Sequence, residues 1–136
     1  MPKLRHSLDT TARNSLVNRW RCYCLRGFAA GIPAITSQSF LSSELTGAGY
    51  GTSGHLMTVI GFTADGDVIA NDPFSASDDA VRRVYLRREF ENIWLRTKRY
   101  NASGKVVSGT GGVCYLYFPA CPSPSQLKAL DAVGVR

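Results

Sequence analysis

Apolar and polar positions change period several times along the chain. Over residues 12–30, Leu16, Val17, Trp20, Tyr23, Cys24 and Phe28 recur at steps near three and four, which predicts a long amphipathic helix. Gly31 stands where a helix C-cap glycine belongs, with Pro33 two residues later. Residues 33–39 are β-prone, and 40–53, with Gly47, Gly49, Gly51 and several hydroxyls, form a loop. Residues 55–63 (HLMTVIGFT) are nearly continuously apolar, which predicts a strand buried on both faces. Residues 64–67 (ADGD) form a hairpin turn, Asp-Gly supplying the positive-φ positions of a tight turn. Residues 68–71 return as the partner strand, which Pro73 ends, and residues 74–79 form a loop. Residues 81–86 alternate enough for a third strand. In 87–95 (RREFENIWL), Phe90, Ile93 and Trp94 share one face of a short helix, expected to be buried, with Arg87, Arg88 and Lys98 solvated. Residues 97–112 are polar and Gly-rich, a surface excursion. Residues 113–118 (VCYLYF) form a final aromatic strand. Residues 1–12 are a polar arm, and 119 onward is a Pro-containing tail. The sum is an α+β domain: an antiparallel sheet of four or five strands, one long N-terminal helix and one short helix, the helices to one side.

Composition narrows this picture. With 136 residues, 44% hydrophobic and 19% charged, the chain is one small globular domain rather than a disordered tail. The longest apolar run, residues 28–35, is far short of the roughly 20 residues of a membrane span. The N-terminal Lys3, Arg5 and His6 have no apolar run behind them, so no Sec-type signal is expected. Localisation is then cytoplasmic by default, although a full-length parent could be exported.

The net charge of +6 is unevenly spread. Residues 1–27 hold six Lys/Arg and one acid, residues 28–81 hold no Lys or Arg and six acids, and residues 82–136 hold ten Lys/Arg and three acids. A site that needs carboxylates and a histidine would lie in the middle third. The basic residues Arg82, Arg83, Arg87, Arg88, Arg96, Lys98 and Arg99 raise nucleic-acid binding. No stacking aromatics alternate with them, so a solvated face is the better reading and no nucleic-acid partner is expected. Cys22, Cys24, Cys114 and Cys121, spaced C-x-C and C-x6-C, do not match zinc ligand spacing with His6 or His55, so neither a metal nor another cofactor is expected. Asn101-Ala102-Ser103 matches a glycosylation sequon and reads equally as a polar loop.

The chemistry concentrates between Ser53-Gly54-His55 and Asn71-Asp72-Pro73. His55 opens one hairpin strand and Asp72 closes the other, so the two ends lie side by side. A carboxylate beside an imidazole fixes its tautomer and stabilises the imidazolium. Taken singly, a histidine at a strand end is usually structural, and Asp-Pro is commonly a turn in which Asp bonds its own backbone. Together, in hairpin register, they are candidate catalytic residues.

The stretches AAGIPAITSQSF, GYGTSGHLMTVIGFTADGDVIANDP and VRRVYLRREFENIWL resemble the C-terminal part of a bacterial papain-fold cysteine peptidase domain. The family is the one typified by bacteriocin-processing (double-glycine leader) peptidases, cysteine-peptidase family thirty-nine, and the closer likeness is to its stand-alone peptidase-like branch. The resemblance covers about residues 28–118. It divides the chain into a divergent basic segment over 1–27, a peptidase-like portion over 28–118 and a tail over 119–136.

The resemblance implies a papain-like fold, a Cys-His-Asp mechanism, His55 as general base, Asp72 as the group that orients it, and a peptide or protein substrate. In the family the nucleophilic Cys opens a helix well upstream, preceded by an oxyanion-hole Gln. Cys22 and Cys24 lie inside the expected helix instead, and Cys114 and Cys121 follow the pair in the wrong order. Three readings stay open, in this order: a truncated enzyme, a divergent N-terminus, or Cys24 acting in an unusual geometry. The expectation is a peptidase-like hydrolase domain that keeps the His/Asp pair and lacks a recognisable nucleophile, truncated or inactive. The alternative is a non-catalytic peptide-binding module of the same fold.

Overall fold

The computed structural model describes residues 27–135. Most of the helix expected over 12–30 therefore lies outside the described residues; its end does not. Residues 27–29 are helical. Gly31, at φ +74°, donates from its N–H to the Phe28 carbonyl, and the Ile32 N–H donates to the Gly27 carbonyl. This paired closure needs a left-handed residue, which glycine supplies at low cost.

Seven strands follow: β1 (Ala34–Phe40), β2 (Thr52–Phe62), β3 (Val68–Asn71), β4 (Arg82–Tyr85), β5 (Lys98–Tyr100), β6 (Val106–Ser108) and β7 (Cys114–Leu116). Five make an antiparallel sheet in the order β4-β3-β2-β1-β7, and β5 and β6 pair separately. With helices α1 (Arg87–Leu95) and α2 (Pro124–Asp131), the fold is α+β.

The register of the central hairpin matters for everything that follows. Near the turn, Phe62 faces Val68 and Gly61 faces Ile69; further along, Val59 faces Ala70 and Thr58 faces Asn71. One extra residue, Ile60, is thus inserted in β2 as a bulge next to a glycine. The turn itself differs from the expected pair of positive-φ residues. Only Gly66, at φ +90°, is left-handed, the Gly66 N–H donates to the Thr63 carbonyl, and the Thr63 N–H donates to Asp67. This is a three-residue loop with its left-handed residue at the third position. Asp65 keeps an ordinary φ because Gly66 alone supplies the reversal.

Burial corrects the two-sided reading of β2. Met57 and Val59 are fully enclosed, whereas Leu56 is 48% exposed. Among the described residues the strand buries one face deeply, and no layer of comparable depth covers the other. The buried face joins Ala34, Met57, Val59, Val68, Ala70 and Tyr85 to Phe90, Ile93 and Trp94 of α1. Those three positions behave as the helical spacing predicts. The Trp94 indole N–H also donates to the Val113 carbonyl at 2.8 Å. Arg88 and Lys98 are exposed as expected. Arg87 is not freely solvated: it pairs with Glu91 at 2.8 Å and lies 4.8 Å over the Phe62 ring.

Two segments expected to be irregular are ordered. Residues 97–112 contain the β5–β6 hairpin. Its turn is held by Asn101, whose Oδ1 accepts from the Ser103 and Lys105 N–H groups, with Gly104 at φ +78°; the sequon lies in this turn. The segment after residue 119 is not simply a tail. Ser123 and Gln126 cap α2 reciprocally, with Pro124 in the first turn, and Ala129 and Leu130 are buried. The final aromatic strand is shorter than expected, confined to Cys114–Leu116.

Candidate active site

The loop over residues 41–51 is held from three sides. Arg96 makes a two-pronged pair with Glu44, whose second contact is 2.8 Å, and also donates to the Ser39 carbonyl. Glu89 of α1 accepts from the Thr46 N–H at 2.8 Å. Arg83 of β4 donates to the carbonyls of Gly47 and Ala48. These charge-assisted bonds are the strong class, and they deliver Tyr50 to the open end of the β2–β3 hairpin. They also correct the view of the basic residues as one solvated face, since Arg83, Arg87 and Arg96 are spent inside the molecule.

His55 and Asp72 meet at that end. Extending the β2–β3 register beyond the bulge puts Asp72 opposite Met57, so His55, two residues further, shares its face. The His55 Nε2 lies 2.8 Å from Asp72 Oδ1. Asp72 is fully buried and the His55 side chain is 17% exposed.

Three more donors converge on Asp72. The Tyr50 hydroxyl donates to Oδ2 at 2.8 Å, the Tyr85 hydroxyl to Oδ2 at 2.7 Å, and the Phe74 N–H to Oδ1 at 2.9 Å. The last contact is the turn bond common in Asp-Pro sequences; here it coexists with the histidine contact rather than replacing it.

Burial is the largest single influence on the Asp72 carboxyl and raises its pKa. The donors from Tyr85, His55, Tyr50 and Phe74 together outweigh it and hold the group below the usual carboxylate value. An ionised carboxylate has no hydrogen to give, so the short contact places the imidazole hydrogen on Nε2 and leaves Nδ1 with the lone pair. Burial first, and the Asp72 charge second, push both tyrosines well above their ordinary value. They remain protonated donors throughout the working pH range.

An aromatic group surrounds the imidazole. Tyr50 stands edge-on to His55 at 5.6 Å, packs on Phe74 at 4.4 Å and touches Phe40 at 5.3 Å. Phe74 is 62% exposed and lies 6.5 Å from His55. Directly across β1 from His55 sits Gln38, fully buried, its Nε2 donating to Thr36 and its Oε1 without a partner.

The sequence reading singles out none of Tyr50, Tyr85, Phe74 and Gln38. Tyr85 was discoverable: it sits on the third strand with the phase that turns it toward Asp72. Phe74 and Gln38 carry no such signal.

The cysteines divide. Cys22 and Cys24 lie outside the described residues. Cys114 and Cys121 are free and exposed. His55 has no thiol partner among the described residues. Also among the described residues, no three His, Cys, Asp or Glu side chains gather as a metal site, and no helix is long and apolar enough to cross a membrane.

The pair, its donors and the hairpin that carries them all fall inside the segment that a family profile matches. No match was found among curated proteins or among solved structures. The profile of the Peptidase_C39 like family matches residues 16–102, nearly two-thirds of the chain, and on that evidence the protein belongs to this cysteine-peptidase-like family.

Proposed function

We propose that the protein is a papain-like cysteine-peptidase-like domain that keeps His55 as general base and Asp72 as the group that orients it, without a recognisable nucleophile. The observation that carries this reading is the 2.8 Å contact between His55 Nε2 and a buried Asp72 already saturated with donors. In the chemistry this geometry supports, Nδ1 accepts the proton of a thiol as its sulfur attacks a peptide carbonyl. Nδ1 then returns that proton to the leaving amine. Asp72 stays ionised and holds the ring. In this reading, residues 28–118 carry the peptidase-like portion and 1–27 a divergent basic segment.

A second reading is a peptide-binding module that keeps the fold without turnover. An extended peptide could then add to a sheet edge. One experiment separates the two. The purified chain and its Cys24→Ser and His55→Ala variants are offered a double-glycine leader peptide and a thiol-directed peptide probe. The expected result is binding with little or no cleavage and no labelling. Cleavage by the parent that vanishes in both variants would make this a complete peptidase with Cys24 as nucleophile.

A further inference from the structure

A groove of roughly 530 Å³ opens between the loop after β1, the start of β2 and the β5–β6 hairpin. Ser42, Ser43, Gly51, Ser53, Arg99 and Asn101 line it, and no acidic residue does. Arg99 is partly buried, its Nε is enclosed without a partner, and it makes no ion pair or hydrogen bond among the described residues. Glu44, the acid near enough to feel its charge, is already engaged by both prongs of Arg96. The hydroxyls of Ser42, Ser43 and Ser53 are likewise uncommitted. Asn101 spends only its Oδ1, on its own turn. The groove is therefore a set of donors around one uncompensated cation. A planar guanidinium in such a place matches a carboxylate in geometry as well as charge.

Its position relative to His55 sets which part of a ligand it meets. Thr52 and Ser53 precede His55 by three and two residues on β2. An extended chain advances about 3.3 Å per residue, so the groove lies about 7–10 Å from the imidazole. We propose that this groove is a specificity subsite for an acidic side chain, Glu or Asp, two or three residues from the peptide bond held at His55. The inference rests on the peptide-binding reading above and adds a charge preference to it.

The test is fluorescence anisotropy with labelled extended peptides containing Gly-Gly. Each carries Glu or Gln at the second or third residue to either side, and each is titrated with wild-type protein, Arg99→Gln and Arg99→Lys. At one position the wild type should bind the Glu peptide about fivefold more tightly than its Gln counterpart, the size of a partly solvated ion pair. The preference should shrink as salt rises. Arg99→Gln should erase it, so that the Glu and Gln peptides bind alike, and Arg99→Lys should keep part of it. Ser42→Glu, which adds a carboxylate at an exposed lining position, should erase it too and serves if the Arg99 variants unfold. Binding of both peptides with equal affinity, or a preference that survives Arg99→Gln, overturns the subsite and leaves peptide binding standing. Absence of binding by any peptide to the folded wild type overturns both.

Discussion

Replacing Tyr85 with Phe isolates one of the two phenol bonds to Asp72. The side chain is 1% exposed, and its ring stacks near Phe90 at 6.2 Å, so the substitution keeps the packing and removes one oxygen. What is lost is a 2.7 Å hydrogen bond to a buried, ionised carboxylate. Bonds of that kind contribute about 1.5–3 kcal/mol net. Asp72 keeps three other donors, which keeps the loss from growing into that of an unpaired buried charge. The expected destabilisation is about 2 kcal/mol, read from urea unfolding at neutral pH.

A double-mutant cycle with Asp72→Asn should return most of that as coupling. The pH dependence follows from the depressed Asp72 pKa. The ionised form contributes stability that is complete above the unfolded value of 3.8 and is lost as pH falls from there through the lower folded value. The Tyr85→Phe penalty should therefore be whole at pH 7 and shrink well below pH 4. A loss under about 0.5 kcal/mol, within the range of neutral surface changes, would refute the reasoning. So would the same loss in the Asp72→Asn background.

Trp94→Ala removes a core indole and its bond to Val113 and should cost about 3–5 kcal/mol in the same unfolding assay. Gly109→Ala would set a Cβ 2.3 Å from the Arg96 carbonyl oxygen. Backbone must move, so a loss of about 3 kcal/mol is expected, toward the upper end for overpacking, visible as a lowered unfolding midpoint. Nitrogen-15 NMR of the neutral imidazole should show hydrogen on Nε2 and a bare Nδ1, and Asp72→Asn should weaken that bias. The opposite tautomer would contradict the base assignment.

Much of the architecture is legible in the sequence where local chemistry and tertiary packing agree. Gly31 closes its helix, Asp-Gly turns the hairpin, and Phe90, Ile93 and Trp94 face the core as their spacing dictates. Their signals are short-range, so a single sequence carries them. The hairpin ends could be paired, which brought His55 and Asp72 together as candidates. Two kinds of feature escaped. Helix α2 was passed over although Ser123, Pro124 and Gln126 are an N-terminal signature; two prolines outweighed it. The one-sided burial of β2 and the convergence of Tyr50, Tyr85 and Phe74 on Asp72 and His55 depend on which elements pack where. Residues 13 and 22 positions from Asp72 meet it only after the sheet and the 41–51 loop are in place.

The extra residue at Ile60 makes the His55–Asp72 encounter a matter of parity. Strand pairing sorts residues by odd and even, and a shift of one moves a side chain to the other face. If the pairing of Phe62 with Val68 and Gly61 with Ile69 ran on unbroken, Thr58 would face Asp72. His55 would then point away from the carboxylate. Ile60 absorbs one count and restores the match across a separation of 17 residues. The hairpin therefore responds differently to the loss and to the gain of a residue in β2. Other side chains at position 60 leave the count intact, and deleting it closes the ladder with Gly61 on Ile69 and Val59 on Ala70, whereas one residue more in β2 between Gly61 and His55 sends the imidazole and the carboxylate to opposite sides of the sheet. β2 can thus lose its bulged residue and keep the pair, but it can gain one only if that residue bulges as well.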